Sequence, residues 1–205
     1  DLDNFGGVCL LDLKVRLRRG HGVTQDDQDR VQTEAGDAFR SFFNNRFGLV
    51  DFGTMRRYYL VINVTFVTSG QHATVLLRRG SGRDDSSNWY VNSAAIDRAH
   101  ELGHLLGLRD EYVDTTVPNR RNASAPGVHS DHSLMGDYPN EGADLATVHQ
   151  RHADRIAGHI GRATGRTLIA CTREAAEQLY ASGIDPAPTG ASSGSSASGG
   201  SGGTP

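Results

Sequence analysis

Two kinds of spacing between apolar residues organise the first part of the chain. Between residues 8 and 18 apolar and charged side chains alternate, which predicts a strand with one buried face. Thr24 precedes a stretch with apolar residues at helical spacing, and this predicts a helix that ends near Phe47. Residues 57–68 are almost continuously apolar, which predicts a central strand buried on both faces. A shorter strand is predicted over residues 73–78.

The stretch with the clearest chemistry is residues 92–112, where His100, Glu101 and His104 stand in the order His-Glu-x-x-His. On a helix, residues four apart lie on the same face, so both imidazoles can direct a ring nitrogen at one point. Two neutral imidazoles suit a zinc ion, and the glutamate between them can reach a water on that ion without being a ligand. We therefore predict a zinc site for hydrolysis, with Glu101 as the general base.

The ends of this helix bear on the third metal ligand. Asn92 or Ser93 is the predicted N-cap, and Gly107 is the predicted end, because glycine adopts the left-handed conformation without a Cβ penalty. Asp110, six residues after His104, can then turn back to supply the third ligand. The alternatives for that position are Glu141, His129 and His132.

The longer pattern His-Glu-x-x-His-x-x-Gly-x-x-Asp at residues 100–110 resembles that of the metzincin zinc endopeptidases. It is most similar to the snapalysin type, in which aspartate replaces the final histidine. Ser133-Leu134-Met135-Gly136 looks like the methionine turn that lies beneath the metal in metzincins. The resemblance covers residues 8–166 and implies an α+β metzincin-like domain. Such a domain has a small mixed twisted sheet with a helix packed on it, the active-site helix, the methionine turn and C-terminal helices.

The same resemblance implies an edge strand that pairs with an extended substrate by β-strand addition. Residues 73–78 and residues 89–91 are the candidates for that edge.

Helical spacing returns after the methionine turn. Asn140 is predicted to cap a helix over residues 141–160, and a further helix is predicted over residues 172–182. The composition then shifts to Gly, Ser, Ala, Thr and Pro, which bury too little apolar surface to fold. Residues 1–182 are therefore predicted to form the catalytic domain and residues 183–205 a disordered tail or linker.

Charge and cysteine content narrow the class of protein. The net charge of -3, with dispersed arginines, argues against nucleic-acid binding, and no apolar run is long enough to span a membrane. The densest basic cluster, Arg78, Arg79 and Arg83, is predicted to be a solvated edge. Cys9 and Cys171 form either one disulfide in an exported protein or two buried thiols. We expect a monomer that is secreted or delivered outside the producing cell.

The leading interpretation is a zinc-dependent endopeptidase that acts on protein or peptide substrates in an extended conformation. A catalytically silent zinc-binding interaction domain is one alternative, although the intact Glu101 argues against it. A zinc hydrolase of a non-peptide amide or ester is the other, and it would use the same residues.

Overall fold

The alternating stretch near the N-terminus forms β1 (Val8–Arg19), an interior strand of a six-stranded sheet. The structure is a computed structural model that describes residues 7–175. β1 pairs in parallel with its two neighbours in the sheet. The other strands are β2 (Phe47–Asp51), β3 (Arg56–Phe66), β4 (Ala73–Arg78), β5 (Asn88–Tyr90) and β6 (Leu168–Thr172). The spatial order is β5-β4-β1-β3-β2-β6, with β2 antiparallel to both its neighbours. The predicted α+β class with a mixed sheet is confirmed.

The helices are α1 (Gln25–Phe43), α2 (Ala95–Leu105), the short α3 (Tyr138–Glu141) and α4 (Gln150–Thr164). Helix α1 begins with a capping box, since the Thr24 hydroxyl accepts from the Asp27 N–H and the Asp27 carboxylate accepts from the Thr24 N–H. Its buried face packs into the same core as the sheet and α2. The buried residues of this face are Val31, Ala35, Phe39 and Phe43.

Several predicted boundaries are wrong in an informative way. Helix α1 stops at Phe43, and Phe47 belongs to the unpredicted strand β2. Strand β3 is interior, as predicted, but it is not buried on both faces. Asn63 and Thr65 are exposed, and the Thr65 hydroxyl donates to Asp12 on β1 at 2.7 Å. One face of the sheet is thus partly polar and open to solvent.

The helix predicted over residues 141–160 is interrupted. Asn140 lies inside α3 and bonds Asp137, so it is not the N-cap of a long helix. Gly142, with φ of +108°, ends α3, and a 3-10 helix, Ala143–Leu145, follows before α4 starts after His149. The helix predicted over residues 172–182 lies largely outside the described residues, although residues 173–175 are helical. The tail predicted over residues 183–205 lies wholly outside them, and residues 168–172 form β6, which was not predicted.

Cys9 and Cys171 are not bonded to each other. Cys9 lies on β1 and Cys171 on β6, with β3 and β2 between them. Three strand spacings amount to about 14 Å, whereas a disulfide needs Cα atoms within about 7 Å. The predicted alternative of a disulfide is therefore wrong. Burial raises the pKa of both thiols, as expected for half-buried cysteines.

The start of α2 is fastened by a fully buried arginine. The side chain of Arg98 is 0% exposed, and its guanidinium donates to the carbonyl oxygens of Tyr90, Val91 and Ser93. It also donates to Glu34 on α1 at 2.9 Å. This one side chain therefore joins α1, α2 and the end of β5.

No helix within residues 7–175 combines the length and the apolar composition that crossing a membrane would require.

Candidate metal centre

The two motif histidines lie on α2 with their rings 4.8 Å apart and nearly perpendicular. The Nδ1 of His100 is 2.8 Å from the carbonyl oxygen of Leu134, and the Nδ1 of His104 is 3.0 Å from that of Leu108. A carbonyl oxygen can only accept, so each Nδ1 carries a proton and donates it. In a neutral ring with this tautomer, the Nε2 atom is left with a lone pair. Backbone carbonyls that hold histidines in this way are the usual support of metal-binding imidazoles.

Asp110 meets both of these lone pairs. Its Oδ1 lies 3.2 Å from the Nε2 of His100 and 3.2 Å from the Nε2 of His104. Burial alone would raise the pKa of Asp110, but its contacts with the two histidines hold that pKa well below the usual range. Burial would lower the pKa of His104, but its contacts with Asp110 raise that pKa above its usual value. When both rings are neutral, two imidazole lone pairs and an ionised carboxylate face one point, and a proton or a cation between them relieves their repulsion.

A glycine turn brings Asp110 into this position. Gly107 has a φ of +81°, as the sequence predicts, and its N–H bonds the carbonyl oxygen of His104. Its own carbonyl oxygen accepts from Nε of Arg155 at 2.5 Å. A Cβ at this position would lie 2.5 Å from Nε2 of His159, so both the backbone conformation and the space favour glycine.

The N-terminus of α2 differs from the prediction. The cap position is Ala94, whose N–H donates to the carboxylate of Asp97 at 3.3 Å. Ser93, predicted as an N-cap, instead directs its hydroxyl to Asp84 at 2.7 Å. The Asp97 carboxylate also accepts from the Tyr138 hydroxyl at 2.6 Å, which fixes that tyrosine beside the His100 ring.

Glu101 lies beside the two histidines. Its Oε2 is 4.0 Å from the Nε2 of His104, and its side chain is only 11% exposed. The potential ligand atoms of His100, Glu101 and His104 all lie within 4.8 Å of one another, so this group could hold a metal ion. Burial raises the pKa of Glu101, and within residues 7–175 its side chain accepts one hydrogen bond, from the Ser86 hydroxyl at 3.3 Å.

Arg120, which the sequence did not single out, holds the other oxygen of Asp110. Its NH2 lies 3.4 Å from Oδ2 of Asp110, and its NH1 donates to the carbonyl oxygen of Tyr112 at 2.9 Å. The guanidinium is buried and sits 5.0 Å from the Tyr112 ring centroid. Arg120 therefore orients Asp110 so that its free oxygen faces the histidines.

The turn at residues 133–136 passes directly beneath α2. Met135 is 0% exposed, and its Sδ would be 2.9 Å from a Cβ built on Gly103, one residue before His104. The preceding carbonyl, that of Leu134, is the one that holds His100. The Met135 side chain therefore packs against Gly103, where a larger residue would clash, and the turn supports the two histidines from beneath α2.

A buried ionic network anchors this turn from the other side. Glu111 accepts hydrogen bonds from the Ser133 hydroxyl at 2.6 Å and from Arg151 at 2.7 Å and 2.9 Å. The ring of His152 is 3.1 Å from the same carboxylate. Burial would raise the pKa of Glu111, but the bonds from Arg151 and the other donors hold it well below the usual range.

Glu141 and His129, two of the rival third ligands, do not make the contacts that Asp110 makes with the imidazoles. The Glu141 carboxylate accepts the backbone N–H of His132 at 2.8 Å. His129 lines a cavity on the Asp110 side of the centre. Of the four candidates, Asp110 is the one whose carboxylate the structure places against both imidazoles. That these residues bind a metal stays a prediction.

One of the two candidate edge strands lies at the edge of the sheet, but its outward backbone groups already have hydrogen-bond partners. β5 is the terminal strand of the sheet, whereas the other candidate, β4, is interior. Asn88 exchanges backbone hydrogen bonds with Asp85, and the Tyr90 N–H donates to the Asp84 carboxylate. The Tyr90 carbonyl oxygen accepts from Arg98. The outward backbone groups of β5 are therefore occupied, and a peptide cannot add there as a strand without displacing them.

Two cavities flank the centre. One, of 360 Å³, is lined by Glu101, His100, Tyr138 and Arg83, and Arg83 donates to the Tyr112 hydroxyl at 2.8 Å. Arg78, Arg79 and Arg83 are all exposed, as predicted, and Arg83 also forms part of a cavity wall next to Glu101. The other, of 610 Å³, lies on the side of His104 and Asp110.

Comparison of the sequence and the structure with models of known protein families, with curated proteins and with solved structures finds no match.

Proposed function

We propose that this chain is a zinc-dependent endopeptidase similar to the snapalysin type of metzincin, with His100, His104 and Asp110 as zinc ligands and Glu101 as general base. The observation that carries the proposal is the convergence of two imidazole Nε2 atoms on a single carboxylate oxygen, each at 3.2 Å. Such a set of lone pairs has no stable arrangement without a shared cation or an added proton.

The donor set and its spacing fit zinc. Nitrogen and oxygen atoms that bind a tetrahedral zinc at about 2.0–2.1 Å are separated from one another by about 3.3 Å. The Nε2 to Oδ1 separations of 3.2 Å agree with that value. Two imidazoles and one carboxylate also leave a fourth position free, as in catalytic zinc sites.

In this proposal a bound zinc supplies Lewis acidity, which lowers the pKa of a bound water towards about 7 and polarises the substrate carbonyl. Glu101 accepts the proton of the attacking water and passes it to the leaving amine. Its burial supports this role, because burial raises the pKa of Glu101 and a carboxylate with a raised pKa is a better proton acceptor.

The test compares zinc content and proteolysis in matched variants. The purified chain should bind one zinc per molecule and cleave reduced, unfolded casein. Glu101→Gln should retain zinc and lose about 100-fold to 10,000-fold in cleavage rate, because the general base is removed. Asp110→Ala should lose both zinc and activity.

Each other outcome changes the proposal. Zinc binding without cleavage by the wild type would favour a zinc-binding interaction domain or a hydrolase of a non-peptide amide. Full cleavage by Glu101→Gln would remove Glu101 from the mechanism. No zinc binding would overturn the proposal as a whole.

A further inference from the structure

The cavity on the Asp110 side of the centre is unusually rich in arginine. Arg109, Arg120, Arg151 and Arg155 line this space of 610 Å³, which we call the arginine cavity. His104 and Asp110 form part of its wall, so a ligand in it would adjoin the candidate metal centre.

Two of these arginines are neutralised and two are not. Arg120 faces Asp110 and Asp114, and Arg151 holds Glu111 and Asp131. Across the described range 7–175, by contrast, neither Arg109 nor Arg155 has a carboxylate partner.

Arg155 makes its hydrogen bond to a backbone carbonyl, that of Gly107. Burial lowers the pKa of Arg155, the positive charges of Arg109 and Arg162 lower it further, and the negative charge of Glu111 opposes them. Among its lining residues, the arginine cavity thus holds four guanidinium groups against the two carboxylates of Asp110 and Glu111, while Asp114 and Asp131 contact Arg120 and Arg151 from outside the lining.

The cavity on the other side of the centre has the opposite character. Its lining contains one cation, Arg83, and the carboxylates of Asp84, Asp97, Glu101 and Asp137. A negatively charged side chain is repelled there and attracted to the arginine cavity. The two sides of the centre thus differ in sign, which gives a bound peptide a preferred direction.

We propose that the arginine cavity binds an Asp or Glu side chain of the peptide substrate, next to the bond that is cleaved, with Arg109 as the specificity-determining residue. The inference rests on the proposed peptidase function. Guanidinium groups suit this task because they bind carboxylates with two parallel hydrogen bonds. Arg109 is exposed, so it can approach a ligand without the loss of an existing carboxylate contact.

The first experiment measures binding without catalysis. Fluorescein-labelled peptides of six residues, identical except for one central Glu, Gln or Lys, are titrated with zinc-loaded full-length Glu101→Gln, and their anisotropy is recorded. The Glu peptide should bind about tenfold more tightly than the Gln peptide, as expected for one hydrogen-bonded charge pair. This preference should weaken between low salt and about 0.3 M NaCl, because exposed charges are screened.

The second experiment assigns the preference to the cavity. Arg109→Gln, made in the same background, should abolish the preference for Glu, and Arg109→Lys should retain part of it. Arg162→Gln is the matched control, because it removes the same charge from α4 outside the cavity. In the catalytically intact protein, Arg109→Gln should raise KM for the Glu peptide more than it raises KM for the Gln peptide.

The inference and the proposed function fail in different ways. Equal binding of the Glu and Gln peptides, or equal losses in Arg109→Gln and Arg162→Gln, would overturn the inference, even if casein is cleaved. A Glu preference that depends on Arg109, in a protein that cleaves nothing, would retain the carboxylate site and overturn the peptidase.

Discussion

The turn at Gly107 is the point where a single methyl group should disturb both stability and metal binding. Gly107 has a φ of +81°, and alanine in that conformation costs about 1–2 kcal/mol. The new Cβ would also lie 2.5 Å from Nε2 of His159, whose ring must then move from its place, for about 1 kcal/mol more. Gly107→Ala should thus lower the free energy of unfolding by about 2–3 kcal/mol, which for a chain of this size lowers Tm by about 4–12 °C.

Two further variants separate the backbone strain at residue 107 from the steric contact with His159. Gly165→Ala places alanine at a φ of +69° with no atom within 4 Å of the new Cβ, so it measures the backbone strain alone. Gly107→Ala combined with His159→Ala removes the steric contact and should approach the Gly165→Ala value. Unfolding is followed by circular dichroism, and zinc affinity by competition with a chromogenic chelator.

Zinc affinity should fall in Gly107→Ala and stay unchanged in Gly165→Ala, because Asp110 follows Gly107 by three residues. If Gly107→Ala costs no more stability than Gly165→Ala and leaves zinc affinity intact, the turn does not position the third ligand and the reasoning is refuted.

Two further substitutions test the supports of the centre. Arg120→Gln should weaken zinc binding about 10–100-fold, because it releases the carboxylate that the arginine orients. Substitution of the exposed neighbour, Arg121→Gln, is the control. Equal zinc affinities of the two variants in chelator competition would contradict this prediction. Arg151→Met should lower the free energy of unfolding in urea by about 2–4 kcal/mol, since a buried carboxylate loses its main partner. An unchanged urea midpoint would show that the remaining donors suffice.

The parts of the centre that the sequence predicted are those encoded by local spacing. His100 and His104 share a helix face because of the four-residue interval, and Gly107 turns the chain because of its missing Cβ. The position of Asp110 follows from these two features. The position of Met135 beneath α2 could be predicted only through the family resemblance, since nothing in its local sequence indicates that it is buried there.

The residues that the sequence missed act across long intervals. Ser86 reaches Glu101 from a loop before β5, and Arg120 reaches Asp110 from a 3-10 helix at Pro118–Arg120. Neither has a spacing pattern that indicates a partner. Arginine after a proline in a polar loop is typical of the surface, yet Arg120 is buried because it folds back over Tyr112.

The sequence-based predictions of secondary structure failed where pairing between distant segments overrode the conformational preference of the local sequence. Residues 168–172 contain an apolar run too short to distinguish a strand from a helix, and they become β6 by pairing with β2. Residues 141–149 have helical spacing, but Gly142 and the bridge between Ser133 and Thr147 break the helix. The position of Cys171 on β6, three strand spacings from β1, follows from the same unpredicted pairing.

The buried guanidinium of Arg98 has a consequence for the motions open to the centre. It joins the first turns of α2 to α1 and to the carbonyls after β5, so α2 cannot tilt or fray at its start without breaking these hydrogen bonds and leaving their partly buried acceptors without this donor. Local opening of this helix must therefore break the hydrogen bonds that Arg98 makes to α1 and to the carbonyls after β5. Its backbone amides should belong to the slowest class in hydrogen exchange, with or without an ion. The two histidines would then be preorganised for a metal ion, because the conformational entropy of ordering them is lost when the protein folds and not when the metal binds.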